Sequence, residues 1–365
     1  MHHRSLIMLL LTLLCGVAKG QEAPLSLLVT SSESGLLLIL DADSGSVDAT
    51  IRVGDGPTGV AISESGERAV IANSGRTAAG STLSLVNTTT RQVIRTIHLE
   101  GSVGLTPGKQ TFFKPTAVAF LPGGEQLVAA SSASGCLVFV GAKTGRILGA
   151  APFKGRGASH VLVSPDGAVV FVSHPDSGSI SVVDVARRQT IKEIPLEAGG
   201  TGDMALTPDG LQIWVTNSST NSISVIDVEK QVEILEFASG SHPHDIAFTY
   251  DGKLALCTNF QSGSISVYST GNYKAVSEIR LAEAGAMPNP GETHWEGSPP
   301  ISPAGLLFTD PGTPQERAFV GLQGSHRLVE LDLQAMRVKR VIQLPVKPSM
   351  LAWSRTTLAF APAPK

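Results

Sequence analysis

One short phrase of sequence returns seven times along this chain of 365 residues. It is a turn that often ends in proline, then a run suited to a buried strand, then a polar hairpin. Its plainest copies are Gly56-Pro57-Thr58-Gly59-Val60-Ala61-Ile62-Ser63 and Lys114-Pro115-Thr116-Ala117-Val118-Ala119-Phe120. A fuller copy is His160-Val161-Leu162-Val163-Ser164-Pro165-Asp166-Gly167. Aligned on the turn, the equivalent positions are Pro57, Pro115, Ala158, Thr201, Pro243, Pro303 and Pro348, spaced 58, 43, 43, 42, 60 and 45 residues apart. Proline suits this place because it fixes φ, and its missing N–H costs nothing before strand pairing begins. A period of roughly 40 to 45 residues built from strands marks one blade of a propeller. The fold class predicted is therefore all-β: a seven-bladed β-propeller of four-stranded blades.

Strands within a blade follow from short β-branched runs bounded by Asp-Gly, Ser-Gly and Asn turn signals. In the fourth blade they fall at 203–206, 211–216, 222–228 and 231–237, named A to D outwards from the centre. The seventh blade is predicted to be split, with strand A at 350–354 and further strands at 26–30, 35–41 and 48–53. Joining the two chain ends in one blade removes the sheet edges an open ring would leave. Residues 356–360 also read as a strand and compete with 26–30 for the same slot, so both assignments stand. The two long intervals carry insertions at 100–113 and 282–300.

The formal net charge is -3, which excludes a broad basic surface and argues against nucleic acid as a partner. At the N-terminus His2, His3 and Arg4 form a weakly basic start, 6–14 is apolar, and Ala18-Lys19-Gly20 supplies small residues for cleavage before Gln21. The expectation is a signal peptide at 1–20 and a single propeller domain at 21–365, secreted or periplasmic. A lipoprotein reading through Cys15 is weaker, because Leu13 and Leu14 stand where small residues are wanted. The apolar stretch is too short for a transmembrane span, which takes about 20 residues. Cys136 and Cys257 fall in different blades, too far apart for a disulfide, and are expected to pack as small hydrophobes.

Ser222-Ile223-Ser224-Val225-Ile226-Asp227-Val228, with its counterparts at 179–185 and 264–268, resembles the repeated strand of the YVTN family of β-propellers. Trp214-Val215-Thr216-Asn217 matches the motif that names that family, with Trp in the tyrosine position. The resemblance covers nearly the whole chain after residue 20. It implies a fold shared by surface-layer proteins, lactonases, amine-dehydrogenase subunits and haem d1-binding propellers. It also implies that D-to-A and B-to-C connections share one face, the top, around the central channel. Function has to come from the site rather than from the fold.

On that map the histidines gather at the top face. His160 and His244 start A strands, His174 and His326 fall in B-to-C loops, His242 and His294 lie in D-to-A segments, and His98 ends a D strand. His160, Asp203 and Asp245 occupy one repeat column on consecutive blades, where the first two blades carry Gly59 and Ala117. His244 shares its column with Thr58 and Thr116. Three readings of this cluster stay open: polar groups bonded to neighbouring loops, a polar-ligand site, or a divalent metal held by His160, Asp203 and Asp245. Trp295 beside His294 in the second insertion can stack on a ligand or tuck against a blade. The ligand-binding candidates are thus His160, His174, Asp203, His244, Asp245, His294 and Trp295.

No Cys-x-x-Cys-His occurs, so covalent c-type haem is excluded. Residues 104–111 fail the spacing of a phosphate loop, and no Gly-x-Ser-x-Gly elbow sits in a strand–turn–helix setting. Asn87-Thr88-Thr89 and Asn217-Ser218-Ser219 fit glycosylation sequons. The expected protein is a monomer that binds a small polar ligand or a protein partner, without catalysis. The alternative is a lactonase-like hydrolase or a propeller carrying haem d1 or another redox cofactor.

Overall fold

The computed structural model describes residues 24–76, 80–99, 114–282, 301–310, 313 and 316–355. Within them the chain forms seven antiparallel sheets of four strands each. The blades take the order read from the repeat. Six are sequential, and the seventh joins Leu351–Arg355 to the three strands Leu25–Ser31, Leu36–Asp41 and Val47–Arg52. Ser26 lies opposite Ser354 and Val29 opposite Leu351, so 26–30 takes the slot beside strand A. Its competitor at 356–360 lies outside the described residues, as do the first insertion and all of the second after Ala282. No helix among the described residues is long and apolar enough to cross a membrane.

Burial explains why the strand types differ. Strands B and C lie between two neighbouring sheets and are apolar on both faces. Leu25–Ser31 and Cys136–Gly141 are buried at every residue. The outer D strands alternate, as in Val232–Ala238, because one face meets solvent. The core is correspondingly divided between blades. Val70, Leu85 and Ile97 of the first blade pack with Val118, Ala129 and Val138 of the second. Trp214 is fully buried between the edges of Phe237 and Phe248, each at 5.2 Å. Cys136 and Cys257 are free and buried, and desolvation pushes both thiols up to about 12.

Two local features shape the channel end of each blade. Strand A is bulged near its start in blades one, two, four, five and six, with register shifts such as Thr201 to Met204 and Pro243 to Ile246. A bulge re-aims the side chains it contains, here those of Asp203, His244 and Asp245. The preceding turn also needs a left-handed residue. Gly56 supplies φ 57° without a Cβ penalty, whereas Lys114 and His242 adopt 53° and 55° before their prolines. Hydroxyls then tie blade to blade: Thr116 Oγ1 donates to the Ala158 carbonyl at 2.7 Å, Ser173 Oγ to Gly202 at 2.9 Å, and Thr216 Oγ1 to His244 at 2.8 Å.

Candidate functional site

The strand A starts of the first three blades surround the mouth of the channel, and small residues at Gly59 and Ala117 leave it open. A Cβ added at Gly59 would come within 2.9 Å of the Thr116 carbonyl, so no side chain fits there. The space left is a cavity of about 640 Å³ bordered by Thr58, Thr116, Ser159, His160, Asp176 and His244, among others. The two imidazoles, from blades three and five, reach the same cavity.

Each imidazole is backed by a carboxylate. His160 Nε2 lies 3.3 Å from Asp203 Oδ1, and His244 Nδ1 lies 2.7 Å from Asp245 Oδ1. The carboxylates are in turn fixed by the backbone of the next blade. Asp203 Oδ2 accepts from the Ile246 amide at 3.2 Å, and Asp245 Oδ2 from the Leu306 amide at 2.9 Å. Asp203 Oδ1 also accepts from the Met204 amide at 2.7 Å. The column read from the repeat therefore does two jobs, holding blades four, five and six together and orienting the histidines.

Electrostatics separates the two carboxylates. Burial raises Asp203 above the usual carboxylate range; His160 opposes this, and the neighbouring Asp245 charge adds to it. Burial also works against ionised Asp245, but the charge and hydrogen bond of His244 outweigh it and hold Asp245 below that range. His244 is the reciprocal case. Burial pulls it down, yet the Asp245 carboxylate, through charge and hydrogen bond, and Asp203 behind it lift it above the ordinary imidazole value. Its ring stacks on Phe260 at 5.7 Å, and His242 lies 5.8 Å from the same phenyl ring. His242 is lowered by burial and then by His244.

A metal ion finds donors here but would find them engaged. One ligand atom from each of His160, Asp203 and Asp245 lies within 4.8 Å of the others. Coordination would require His160 Nε2 to leave Asp203, and would draw carboxylate oxygens that already accept from amides and imidazoles. The hydrogen-bonded arrangement accounts for all three side chains without an ion.

His174 is a correction. It is not in a loop at the rim but ends strand Val169–His174, fully buried. Its Nε2 lies 2.7 Å from Ser181 Oγ, and Ser181 donates on to Glu193 at 2.8 Å. Asn73, Asn217 and Asn259 hold the same position in other blades, bonding Ser84, Ser224 and Ser266 at 3.0, 2.8 and 2.8 Å. His174 thus takes the place of the asparagine that pins the B-to-C hairpin in three other blades, and is removed from the ligand-binding set. The same burial leaves no room for a glycan on Asn217 in the folded protein. His294 and Trp295 lie outside the described residues.

Of the predicted site residues, the structure brings together His160, Asp203, His244 and Asp245. Sequence reasoning missed Ser159, Asp176 and Phe260. Ser159 could have been found, since it stands in the Thr58, Thr116 and His244 column, whereas nothing in the repeat marks Phe260.

The family model described as Lactonase, 7-bladed beta-propeller matches residues 40–276. Among solved structures the chain is similar to Kuenenia stuttgartiensis hydrazine synthase, at 17% identity and a TM-score of 0.66, covering 83% of this chain and 96% of that one. It is also similar to a functionally unknown protein from Desulfotomaculum acetoxidans, at 13% identity and a TM-score of 0.69, covering 90% and 99%. Both likenesses are of fold. No curated protein matches the chain. With seven four-stranded blades and a match over more than half its length, the chain belongs to the seven-bladed lactonase β-propeller family.

Proposed function

We propose that this protein binds a small polar molecule in the mouth of its central channel, held by His160 and His244. The observation that carries this reading is the convergence of two imidazoles on one cavity, each oriented by an anchored carboxylate. A cavity of about 640 Å³ falls within the roughly 300–1,000 Å³ typical of small-molecule sites. Pre-oriented side chains lower the ordering cost of binding. The N-terminal segment supports export as the setting, and sequencing of the natively produced protein is expected to begin at Gln21.

A second reading is favoured by the His244–Asp245 pair. A carboxylate on Nδ1 leaves Nε2 to take a proton from water, the arrangement a general base needs. In a lactonase family this points to ring-opening of a lactone. Titration calorimetry with the purified protein separates the two readings. His160→Ala and His244→Ala are each expected to weaken ligand binding by roughly tenfold or more. If His244 is also a base, His244→Ala lowers kcat/KM for a lactone by roughly a hundredfold or more. Binding that is unchanged in both variants would remove the site from consideration.

A further inference from the structure

One wall of the cavity rests on a buried histidine. The segment 153–160, between the second and third blades, brings Gly157, Ala158, Ser159 and His160 to the cavity edge. Strand pairing does little to hold it. Strand A of the third blade is reduced to Val161–Val163, whereas strand A spans five to seven residues in every other blade. The attachments of the segment include single hydrogen bonds. The Lys154 amide donates to Glu193 at 3.2 Å, the Arg156 amide to Ser177 Oγ at 3.1 Å and the Ser159 amide to the Ser173 carbonyl at 3.1 Å. Phe153 and Gly155 are buried, while Lys154 and Arg156 between and beyond them are exposed. Gly155 lies against the His174 ring: a Cβ there would fall 2.3 Å from two ring carbons and 2.8 Å from Nδ1. Phe153 packs on the same ring at 4.5 Å.

A neutral His174 suits this place and a charged one does not. Nε2–H faces Ser181, which donates on to half-buried Glu193, and Nδ1 has no partner among the described residues. A second proton would go onto Nδ1, beneath Gly155, giving a buried N–H with no acceptor and a charge without water. Glu193 stands one hydroxyl away on the Nε2 side, and Asp176 is exposed against Gly157. Lys154 and Arg156 turn outwards. Lifting Gly155 is therefore the short way to bring water to Nδ1. In the first blade Asn73 holds the equivalent place under Gly54, and its Oδ1 accepts from the Gly54 amide at 3.1 Å. That amide side chain does not titrate. We propose that His174 is an acid-sensitive latch on the cavity wall: its protonation lifts segment 153–160 and, on the binding reading above, releases the ligand held by His160.

Desolvation holds the ring down to about 4 while the segment is closed, against 6.5 in water. Opening is thus promoted as the pH falls from 6.5 towards 4. Amide hydrogen exchange followed by NMR on the full chain tests this without any ligand. Between about pH 7 and 5, protection of the Lys154, Arg156 and Ser159 amides, corrected for intrinsic exchange, is expected to fall by on the order of tenfold. The Gly54 amide over Asn73 is expected to keep its protection, and His174→Asn is expected to abolish the fall in segment 153–160. Comparison of the two segments within the unaltered chain decides even without the variant. Constant protection in 153–160, an equal fall at Gly54, or a fall that persists in His174→Asn overturns the latch and leaves the binding reading standing. Silence in ligand titrations removes the binding reading and leaves the latch.

Discussion

Glu330→Gln is expected to lower folding stability by about 2–3 kcal/mol, because it removes a buried anion that pairs with three partly exposed cations. Glu330 is 1% exposed. Arg317 meets it side-on at 2.9 and 3.0 Å, Lys339 at 2.8 Å and Arg340 at 2.6 Å. Burial alone would raise this carboxyl, yet the three donors bring it down to about 2. The cluster sits where the ring closes. Arg317 also donates to Asp43 and to the Ala42 carbonyl, both at 2.7 Å, and Arg340 donates to the carbonyls of Ala42 and Asp43. Blade six thereby grips the turn between two strands of the split blade, across 274 residues of sequence for the Arg317–Asp43 contact. An amide at 330 would leave two guanidinium groups and an ammonium facing one another, with Arg317 alone keeping an anion, the exposed Asp43. Urea titration measures the loss. A buried ionic cluster replaced as a unit by apolar side chains is often neutral. Glu330→Met combined with Arg317→Met and Arg340→Met, with half-exposed Lys339 left to solvent, is accordingly expected to recover much of what Glu330→Gln loses. A Glu330→Gln midpoint within error of the unaltered protein would show that the closure does not depend on this anion.

The ring itself was legible in the sequence because the period is set by backbone needs that recur in each blade. Pro57, Pro115 and Pro243 mark turns, and the apolar runs mark strands buried on both faces. The column of His160, Asp203 and Asp245 was legible for the same reason, since aligned positions at the start of strand A meet around one channel. What the alignment could not convey was direction. The bulges in strand A of blades four and five decide that Asp203 and Asp245 reach the next blade's amides while His244 reaches the cavity, which His160 enters from the unbulged third blade. The rival strands at 26–30 and 356–360 have similar apolar patterns, and only the pairing of Ser26 with Ser354 distinguishes them. His174 was misplaced because polar residues at the end of strand B look like the start of a loop. Its column, Asn73, Asn217 and Asn259, held the signal that this position faces inward to a serine.

That substitution of histidine for asparagine predicts the pH response of the fold. Desolvation holds His174 down to about 4, against 6.5 for a solvated imidazole. Its Nδ1 is buried without a partner, and its ring lies 4.5 Å from Phe153. Ser181 donates its hydrogen to Glu193, so it receives the Nε2–H of a neutral ring. Below pH 6.5 the unfolded chain takes up a proton that the folded chain refuses. The stability contributed by the neutral ring is complete above 6.5 and falls as the pH drops towards 4, a loss of about 3 kcal/mol over that window. Glu330 acts in a lower window. Its contribution is present above 4.5 and is lost as the pH falls towards 2. His174→Asn separates the two. Asparagine restores the bond that other blades make to this serine, so near pH 8 the variant is expected to stay within about 1 kcal/mol of the unaltered protein. As the pH falls from 6.5 to 4 it should lose less stability than the histidine protein and overtake it, while the decline below 4.5 remains in both. Parallel stability curves for the two proteins across the upper window would mean that His174 is not the group that titrates there.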